Sequence, residues 1–343
     1  MQTSQNIILI GLGKVGREVI RQLQALGLED RITGLADSSA AIFGNPLSPK
    51  QINEALLMKE AGQPLAAMPG AQPLTKLSDS FQTDTLIVDT SAARDLDWKI
   101  ARQNGCQLVF ANKNAHSSSW MAASRLFDNP EVRYEATVGA GLPVIKTLRN
   151  QVATGDGITR IEGVMSGTLG FLCSRLEAGV SYSQAVREAF EQGFTEPDPR
   201  DDLSGFDVLR KAIILGRTAG WPLESVDFTV QPLYDDRLIN IPVAEFFQRS
   251  TLLDPTYAAL VEEAARAGKV LRYLATVTPQ GGQIGLQAVK KQSELGALQG
   301  PGNYFAFYSR YYDPLPLVIS GPGAGIQVTA NGVLGDIIAL MDC

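Results

Sequence analysis

The sequence predicts an α/β protein with two parts: a doubly wound parallel sheet at the N-terminus and a second part of α+β structure. Up to about residue 134, short β-branched apolar runs alternate with amphipathic helices, a pattern typical of parallel strands joined by crossover helices. A glycine-rich turn follows the first run. Beyond residue 134 longer helices precede further strands. Because 343 residues exceed one ordinary core, we predict domains over residues 1–134 and 135–315, with residues 316–343 returning to the first.

The elements of the first part follow from periodicity. Asn6–Ile10 is a short apolar run of the kind found in strands buried on both faces. Residues 17–26 place their apolar side chains on one helical face, and a glycine follows. Further strands are predicted over residues 31–36, 85–89 and 107–110, with a short helix over residues 97–104.

The second part is predicted from longer periodic segments. Helices are expected over residues 143–152, 169–178, 183–193 and 207–219, and strands over residues 269–278, 284–290 and 304–311. The last segment contains a strand at residues 317–319, a second glycine cluster at residues 321–325 and a closing helix. Its glycine cluster is best explained by a return of the chain to the first domain.

Composition excludes several classes of function. The formal net charge is −6, and basic residues are scattered, which argues against binding to nucleic acid or anionic membranes. Three distant cysteines lack metal-ligand spacing or the density of a disulfide framework. We expect no signal peptide, and no apolar run approaches the ~20 residues of a membrane helix. We expect a reduced cytoplasmic protein whose partner is a small molecule or another copy of the chain.

A glycine turn joins the first strand to the first helix. Gly11-Leu-Gly13-Lys14-Val15-Gly16 matches G-x-G-x-x-G in the strand–turn–helix context of a Rossmann-type site. The glycines permit the tight turn, the approach of a pyrophosphate and close helix packing, and the helix N-terminus favours an anion. The alternative, a glycine turn that binds nothing, is the weaker interpretation in this context.

Cofactor choice is predicted from Asp37, at the end of the second strand. A carboxylate there accepts hydrogen bonds from the ribose hydroxyls and repels a 2′-phosphate, and no arginine follows closely. This favours NAD over NADP, although Ser38 and Ser39 could soften the preference. A solvent-exposed turn aspartate remains the alternative.

Residues 193–211 form the most unusual segment, with five acidic and three basic residues in a lightly charged chain. Asp207 and Lys211 have the spacing of four that places both on one face of a helix. The residues after Lys211 are apolar, so a buried helix would begin with a lysine and its carboxylate partner, which suits acid–base chemistry. A solvated loop followed by an exposed ion pair is the alternative.

Several motifs together resemble one family. The string Glu-Pro-Asp-Pro-Arg-Asp-Asp-Leu-x-Gly-x-Asp-Val-x-Arg-Lys, residues 196–211, closely resembles the signature of the homoserine dehydrogenases. The glycine turn and four further segments are similar to the same family and appear in its order: residues 111–113, 135–143, 163–168 and 321–330. The resemblance covers nearly the whole chain.

The resemblance implies reversible reduction of L-aspartate 4-semialdehyde to L-homoserine by NAD(P)H. Lys211 resembles the catalytic lysine that gives a proton to the carbonyl oxygen, and Lys113 a second active-site lysine near the nicotinamide. Asp207 and Glu196 resemble the carboxylates that recognise the substrate's amino group. Asp202 and Thr168 are implied as further substrate-binding residues. Paired carboxylates and lysines would orient an amino acid at both ends.

The resemblance also implies sites for other ligands. Glu135, Val138, Ala140 and Leu142 resemble a loop that holds a monovalent cation, often sodium, largely through backbone carbonyls; the alternative is a glycine-rich hinge. The positions that touch the cofactor would include the glycine turn and five more residues: Thr90, Ser91, Lys113, Gly193 and Gly325.

The remaining expectations concern regulation, assembly and competing functions. We interpret His116, Cys106 and Cys173 as packing residues and assign no role to Cys343. The chain has no room for the C-terminal sensing domain of many family members, so we expect no inhibition by threonine through such a domain. A homodimer is implied. The alternatives are an oxidoreductase acting on another amino acid aldehyde and a non-catalytic NAD-binding regulatory protein.

Overall fold

A computed structural model describes residues 5–94, 96 and 98–341. Asp97, the first residue of the short helix predicted over residues 97–104, and Cys343 lie outside the described residues. The chain divides into two compact units, one made of Met1–Pro143 and Ala324–Cys343, the other of Val144–Gly323. Each unit contains a six-stranded sheet, and the predicted α/β fold class is confirmed.

The sheet of the first unit has the order β3-β2-β1-β4-β5-β6. Its strands are β1 (Asn6–Ile10), β2 (Ile32–Ala36), β3 (Ala41–Phe43), β4 (Thr85–Asp89), β5 (Gln107–Phe110) and β6 (Val132–Arg133). All neighbours pair in parallel except β3, which is antiparallel to β2. Since β1 pairs with both β2 and β4, the strand order reverses beside β1, and this is where ligands bind in such sheets.

The helices of the first unit flank this sheet. They are α1 (Lys14–Ala25), α2 (Pro49–Glu60), α3 (Lys99–Gln103), α4 (Asn114–Ser117), α5 (Trp120–Phe127) and, from the C-terminal segment, α14 (Ile326–Met341). Side chains of β1, α1 and α14 share one apolar core, to which Ile7, Val19, Ile20 and Ile337 contribute. This shared core explains why the end of the chain belongs to the first unit.

The sheet of the second unit has the order β12-β11-β7-β9-β10-β8. Its strands are β7 (Ile158–Val164), β8 (Phe228–Val230), β9 (Lys269–Thr278), β10 (Gly281–Lys290), β11 (Gly302–Ser309) and β12 (Leu317–Pro322). Its helices are α6 (Val144–Ala153), α7 (Gly167–Glu177), α8 (Tyr182–Glu191), α9 (Pro199–Leu203), α10 (Phe206–Thr218), α11 (Val243–Arg249), α12 (Asp254–Arg266) and α13 (Glu294–Ala297). The strands are antiparallel except β8, which runs parallel to β10.

The boundaries of the units lie further along the chain than residues 134 and 316. The segment after β6 stays in the first unit because the backbone N of Glu135 donates to Asp336 Oδ2 of α14 at 2.8 Å. At the other boundary, β12 pairs with β11 and stays in the second sheet. The return to the first unit therefore begins at Ala324, after this strand.

Five elements of the first unit have no counterpart among the predicted ones: β3, α2, α4, α5 and β6. The helix α2 carries a local signal, because Ser48 caps it and exchanges hydrogen bonds with Gln51 in a capping box, with Pro49 at its first position. The strand β3 has only three residues and takes its conformation from pairing with β2. Among the described residues, no helix combines the length and apolarity needed to cross a membrane.

Candidate active site

The glycine turn lies at the carboxyl end of β1, beside the reversal of strand order. Gly11 has a φ of 98°, which favours glycine. A Cβ at Gly16 would collide with Gly11 O, so α1 can approach β1 this closely only at a glycine. Gly13 instead faces open space, with nothing within 4 Å of an added Cβ. That space adjoins the N-terminus of α1, which begins at Lys14 without a side-chain cap, and suits a pyrophosphate.

Thr90 and Ser91 pack against the same turn. The Thr90 hydroxyl lies 2.6 Å from Gly11 O and 3.2 Å from Ile10 O, so it fastens the glycine turn to the segment after β4. A Cβ at Gly11 would lie 2.5 Å from the backbone N of Ser91. The structure thus places both predicted cofactor-binding residues beside the turn, and it gives the threonine hydroxyl a structural partner.

Asp37 is more buried, and accepts more hydrogen bonds, than the sequence indicates. It is 9% exposed, and its carboxylate accepts from five protein donors: Ser39 N, Ser39 Oγ and Ala40 N on Oδ1, and Lys59 Nζ and Leu65 N on Oδ2. Burial alone would raise the pKa of this carboxyl, but the hydrogen bonds outweigh burial and hold that pKa well below its ordinary value. The alternative of a solvent-exposed turn aspartate is therefore wrong, and Lys59 is a nearby cation that sequence reasoning missed.

Lys113 lies in the turn between β5 and α4. Its backbone carbonyl accepts from the backbone N and hydroxyl of Ser117, at 2.9 and 2.8 Å. The residues on either side, Asn112 and Asn114, are both bonded to the segment after β4. The predicted second lysine thus stands at the carboxyl edge of the parallel sheet, where such sheets bind ligands.

In the second unit, Lys211 stands in the first half of α10 and is 9% exposed. Its Nζ lies 2.8 Å from Asp207 Oδ2, as the spacing of four predicts, and donates to the backbone carbonyl of Met165 at 2.6 Å. An ammonium group has three protons. Among the described residues, Asp207 Oδ2 and Met165 O accept two of these protons. The third proton remains for a substrate oxygen.

Three carboxylates gather near this helix start. Asp202 Oδ2 accepts from the backbone N of Glu196 at 2.8 Å. Burial raises the pKa of the Asp202 carboxyl, and the charges of Glu196 and Asp207 add to the rise. Glu196 is exposed and the Asp207 side chain is 45% exposed. The structure therefore brings the three predicted substrate-binding carboxylates of this unit together.

Thr168 connects this cluster to α7. Its hydroxyl lies 2.5 Å from Phe194 O and 3.2 Å from Asp202 Oδ1. Because a hydroxyl has a single proton, it donates to one of these acceptors at a time. Thr168 thus supports the segment that carries Glu196 and Asp202, in addition to any contact with substrate.

Asp198 and Arg200, in the same charged segment, form an ion pair that stabilises the fold. The guanidinium binds both carboxylate oxygens of Asp198, with Nε 2.9 Å from Oδ1 and one terminal nitrogen 2.6 Å from Oδ2. Its other terminal nitrogen lies 2.7–2.8 Å from three backbone carbonyls, those of Leu238, Ile239 and Ile241. Part of the charged segment therefore holds the fold.

Gly193 and Gly325 occupy separate units. Gly193 has a φ of 72° and follows α8, where its backbone N donates to Phe190 O at 3.0 Å. Gly325 has a φ of 129° and precedes α14, accepting from the backbone N of Thr329 at 2.9 Å. Both have conformations that favour glycine, so each has a structural role in addition to any contact with a cofactor.

The predicted cation loop packs against α14. Glu135, Val138 and Ala140 are buried, and Leu142 is partly exposed. Ala140 has a φ of 58°, a strained conformation for a residue with a side chain. A Cβ at Gly332 of α14 would lie 2.7 Å from Ala140 O. The loop is thus held by α14 and offers backbone oxygens, the donor type that a hard cation prefers.

His116 is fully buried in an aromatic cluster. Its ring centroid lies 4.9 Å from that of Phe110, 5.3 Å from Phe127 and 4.3 Å from Tyr134. Cys106 and Cys173 are buried, and burial raises the pKa of each thiol to about 11. These environments agree with the predicted packing roles.

Comparison with known proteins gives a consistent result. A family model described as homoserine dehydrogenase matches residues 143–338. A homoserine dehydrogenase of Paracoccidioides brasiliensis is 37% identical over 360 residues, covering 97% of each chain. A Candida auris protein of unknown function has a crystal structure with a TM-score of 0.82 at 31% identity, covering 98% of both chains. A hyperthermophilic archaeal homoserine dehydrogenase mutant in complex with NADPH has the same fold, with a TM-score of 0.75 at 21% identity over 98% of this chain and 97% of that one.

Proposed function

The chain belongs to the homoserine dehydrogenase family and is a nicotinamide-dependent oxidoreductase acting on a CH–OH group, and we propose how its own residues carry the reaction. It interconverts L-homoserine and L-aspartate 4-semialdehyde. The observation that carries the proposed mechanism is the position of Lys211, whose ammonium is held by Asp207 and Met165 O with one proton left over. No other lysine of the second unit is as deeply buried among the described residues.

Lys211 is the proton donor to the aldehyde oxygen in the direction of reduction. When bound, a nicotinamide would supply hydride to the aldehyde carbon, and Lys211 would give its proton to the developing alkoxide. Oxidation of the alcohol reverses both transfers. The two acceptors of Lys211 fix where its remaining N–H points, which positions the proton for transfer. Lys113 is proposed as the second lysine, binding the reacting oxygen and the cofactor.

The carboxylates recognise the amino group of the substrate. Glu196 and Asp207 retain exposed carboxylate oxygens, and a substrate ammonium placed between them would offset the repulsion that raises the pKa of Asp202. Asp202 holds the backbone of Glu196 and, with Thr168, shapes the loop. This arrangement selects substrates that carry an amino group at a defined distance from the reacting carbon.

The dinucleotide is proposed to bind at the glycine turn, with its pyrophosphate in the open space at Gly13. Its adenosine ribose would lie near Asp37, so we retain NAD as the favoured cofactor. Because Lys59 neutralises Asp37, repulsion of a 2′-phosphate is weaker than from an isolated carboxylate, and the preference for NAD is expected to be small.

Two further proposals concern a cation and assembly. Sodium would bind the backbone oxygens of Glu135, Val138, Ala140 and Leu142, where the strained Ala140 turns the loop. The protein would form a homodimer through the edge of the second sheet, where Tyr311 and Leu315 are 66% and 80% exposed.

The direct test is a spectrophotometric assay of NAD(P)H formation from L-homoserine. The native enzyme should turn over, and Lys211→Ala should lower kcat by about 1000-fold while NADPH affinity, followed by fluorescence, stays nearly constant. Lys269→Ala, which removes an exposed lysine of the same unit, is the matched control and should retain activity. Replacing sodium by tetramethylammonium in the same assay tests the cation.

Two results would contradict these proposals. Absence of turnover by the native enzyme with either cofactor would exclude the function. Survival of turnover in Lys211→Ala would instead leave the function intact and exclude the role of this lysine.

A further inference from the structure

The turn that carries Lys113 is fixed by a buried carboxylate that the proposed reaction does not use. Asp89 is the last residue of β4 and is 1% exposed. It stands opposite Phe110, the last residue of β5, so the segments that follow the two strands leave the sheet at the same edge. Asp89 thus lies at the base of both segments, one containing Thr90 and the other Lys113.

Each oxygen of this carboxylate accepts a hydrogen bond from a different segment. Oδ1 accepts from the backbone N of Ser91 at 2.9 Å, and Oδ2 accepts from Asn112 Nδ2 at 3.0 Å. The main-chain carbonyl of Asp89 also accepts from the backbone N of Ala111 and Asn112, at 2.9 and 3.2 Å. One residue therefore connects the segment beside the glycine turn with the segment that carries Lys113.

Asn112 extends this connection. It is 7% exposed, its Nδ2 also donates to Ala93 O at 2.8 Å, and its Oδ1 accepts from the backbone N of Asn114 at 2.9 Å. Asn114 Nδ2 in turn donates to Ala93 O at 2.9 Å. Lys113 therefore lies between two asparagines that are both anchored to the neighbouring segment.

The chemistry of this network requires a carboxylate at position 89. Burial raises the pKa of Asp89, which reflects the free-energy cost of enclosing a charge. A neutral amide would avoid that cost, but both partners are N–H donors, and an amide has only one accepting end. Only a carboxylate accepts at both ends. The fold thus retains a costly group where its geometry fixes two active-site segments.

We propose that Asp89 is a positioning residue that acts through Asn112 to hold the Lys113 turn in register with residues 90–93. The inference rests on the proposed role of Lys113 in the oxidation of L-homoserine. Its consequence is that the lysine and the segment packed on the glycine turn behave as one preorganised body.

A double-mutant cycle tests this role. Asp89→Asn places an N–H donor opposite the N–H donor of Asn112. This variant should lower kcat by about ten-fold or more, with KM for L-homoserine changed less than about two-fold. In the Lys113→Ala background the same substitution should change kcat by less than about two-fold, because the lysine that it positions is gone. Equal losses in both backgrounds, or no loss in the native background, would overturn the proposal.

A rescue variant and a control sharpen the cycle. Exchanging the two groups, with Asp89→Asn and Asn112→Asp combined, restores a donor facing an acceptor and should recover part of the lost kcat. A combined variant no better than Asp89→Asn would count against the pairing. Asp84→Asn makes the same chemical change at an exposed residue just before β4 and should leave kcat unchanged.

A readout independent of activity is hydrogen–deuterium exchange of the ligand-free protein. Asp89→Asn should raise exchange in residues 90–93 and 112–117 together, with α1 unchanged. A rise in one segment alone would overturn the coupling. If this variant does not fold, Asn112→Ala gives the same readouts. Absence of homoserine turnover by the native enzyme would count against the proposed function, whereas the exchange result would still decide the coupling.

Discussion

At the scale of single residues, hydrogen-bond saturation separates side chains that hold the fold from those available to a ligand. Asp37 and Glu196 are both carboxylates in motifs that predict binding. Asp37 is buried and accepts from five protein donors, whereas Glu196 is exposed and is tied down through its backbone N. A carboxylate offers about four lone-pair sites, so Asp37 would act on a nearby ribose or 2′-phosphate through its charge more than through a new hydrogen bond.

Cofactor preference gives a prediction at this scale. Asp37→Asn removes the negative charge that neutralises Lys59, whose side chain is 18% exposed. The unpaired ammonium should then attract a 2′-phosphate, and the ratio of kcat/KM for NADP to that for NAD should rise by about ten-fold. Initial rates with both cofactors measure this ratio.

The matched control for this prediction is Asp30→Asn. Asp30 precedes β2, and its side chain is 71% exposed. This variant should keep the native ratio. An unchanged ratio in Asp37→Asn as well would show that the adenosine end of the cofactor lies elsewhere.

At the scale of elements, the charged segment of residues 193–211 contains α9 and the start of α10, which are joined at Gly205. Gly205 has a φ of 73°, and a Cβ there would collide with the Tyr273 hydroxyl of β9. Both its conformation and its surroundings therefore require glycine at this turn. The turn lets α10 start with Asp207 in its first turn, where a negative charge is favoured by the helix dipole. Lys211 follows one turn later on the same face. Local geometry thus builds the proposed acid–base pair.

Stability of this element gives a second prediction. Arg200→Ala removes the ion pair with Asp198 and leaves three backbone carbonyls without their donor. Because the Arg200 side chain is only 12% exposed, the free energy of unfolding should fall by about 2 kcal/mol. Denaturant unfolding followed by circular dichroism measures the change.

Arg237→Ala is the control for that measurement. Arg237 has the same spacing from its partner, Asp235, but its side chain is 76% exposed, so its removal should leave the unfolding curve unchanged. Equal effects of the two substitutions would mean that the contacts of Arg200 with the three carbonyls contribute nothing.

At the scale of the whole molecule, assembly is the testable feature. The strand β12 is an edge of the second sheet, and the segment before it exposes Tyr311 and Leu315. Unprotected edges and exposed apolar groups favour association. We expect a dimer in sedimentation velocity at micromolar concentration, and a monomer after Tyr311→Asp combined with Leu315→Asp.

Leu252→Asp is the control, since Leu252 is 63% exposed on the same unit but lies outside the sheet edge. It should remain dimeric. A monomeric native protein would exclude the dimer, and a dimeric double variant would exclude this edge as its interface.

The sequence by itself determined the features that depend on neighbouring residues. The strand–turn–helix at Gly11 to Gly16 and the spacing of Asp207 and Lys211 follow from local connectivity and helical periodicity. The α/β class and most long elements could be predicted for the same reason. Short β3, stabilised by pairing with β2, could not.

Only the tertiary structure decided which distant groups become partners. It placed Asp37 beside Lys59, Arg200 beside the backbone carbonyls of Leu238, Ile239 and Ile241, and Lys211 beside Met165 O. It also placed Asp89 against Asn112, 23 residues away. The physical reason is that a buried polar group must find a partner, and the choice depends on which strand ends and helix faces folding brings together. Sequence spacing does not encode that choice.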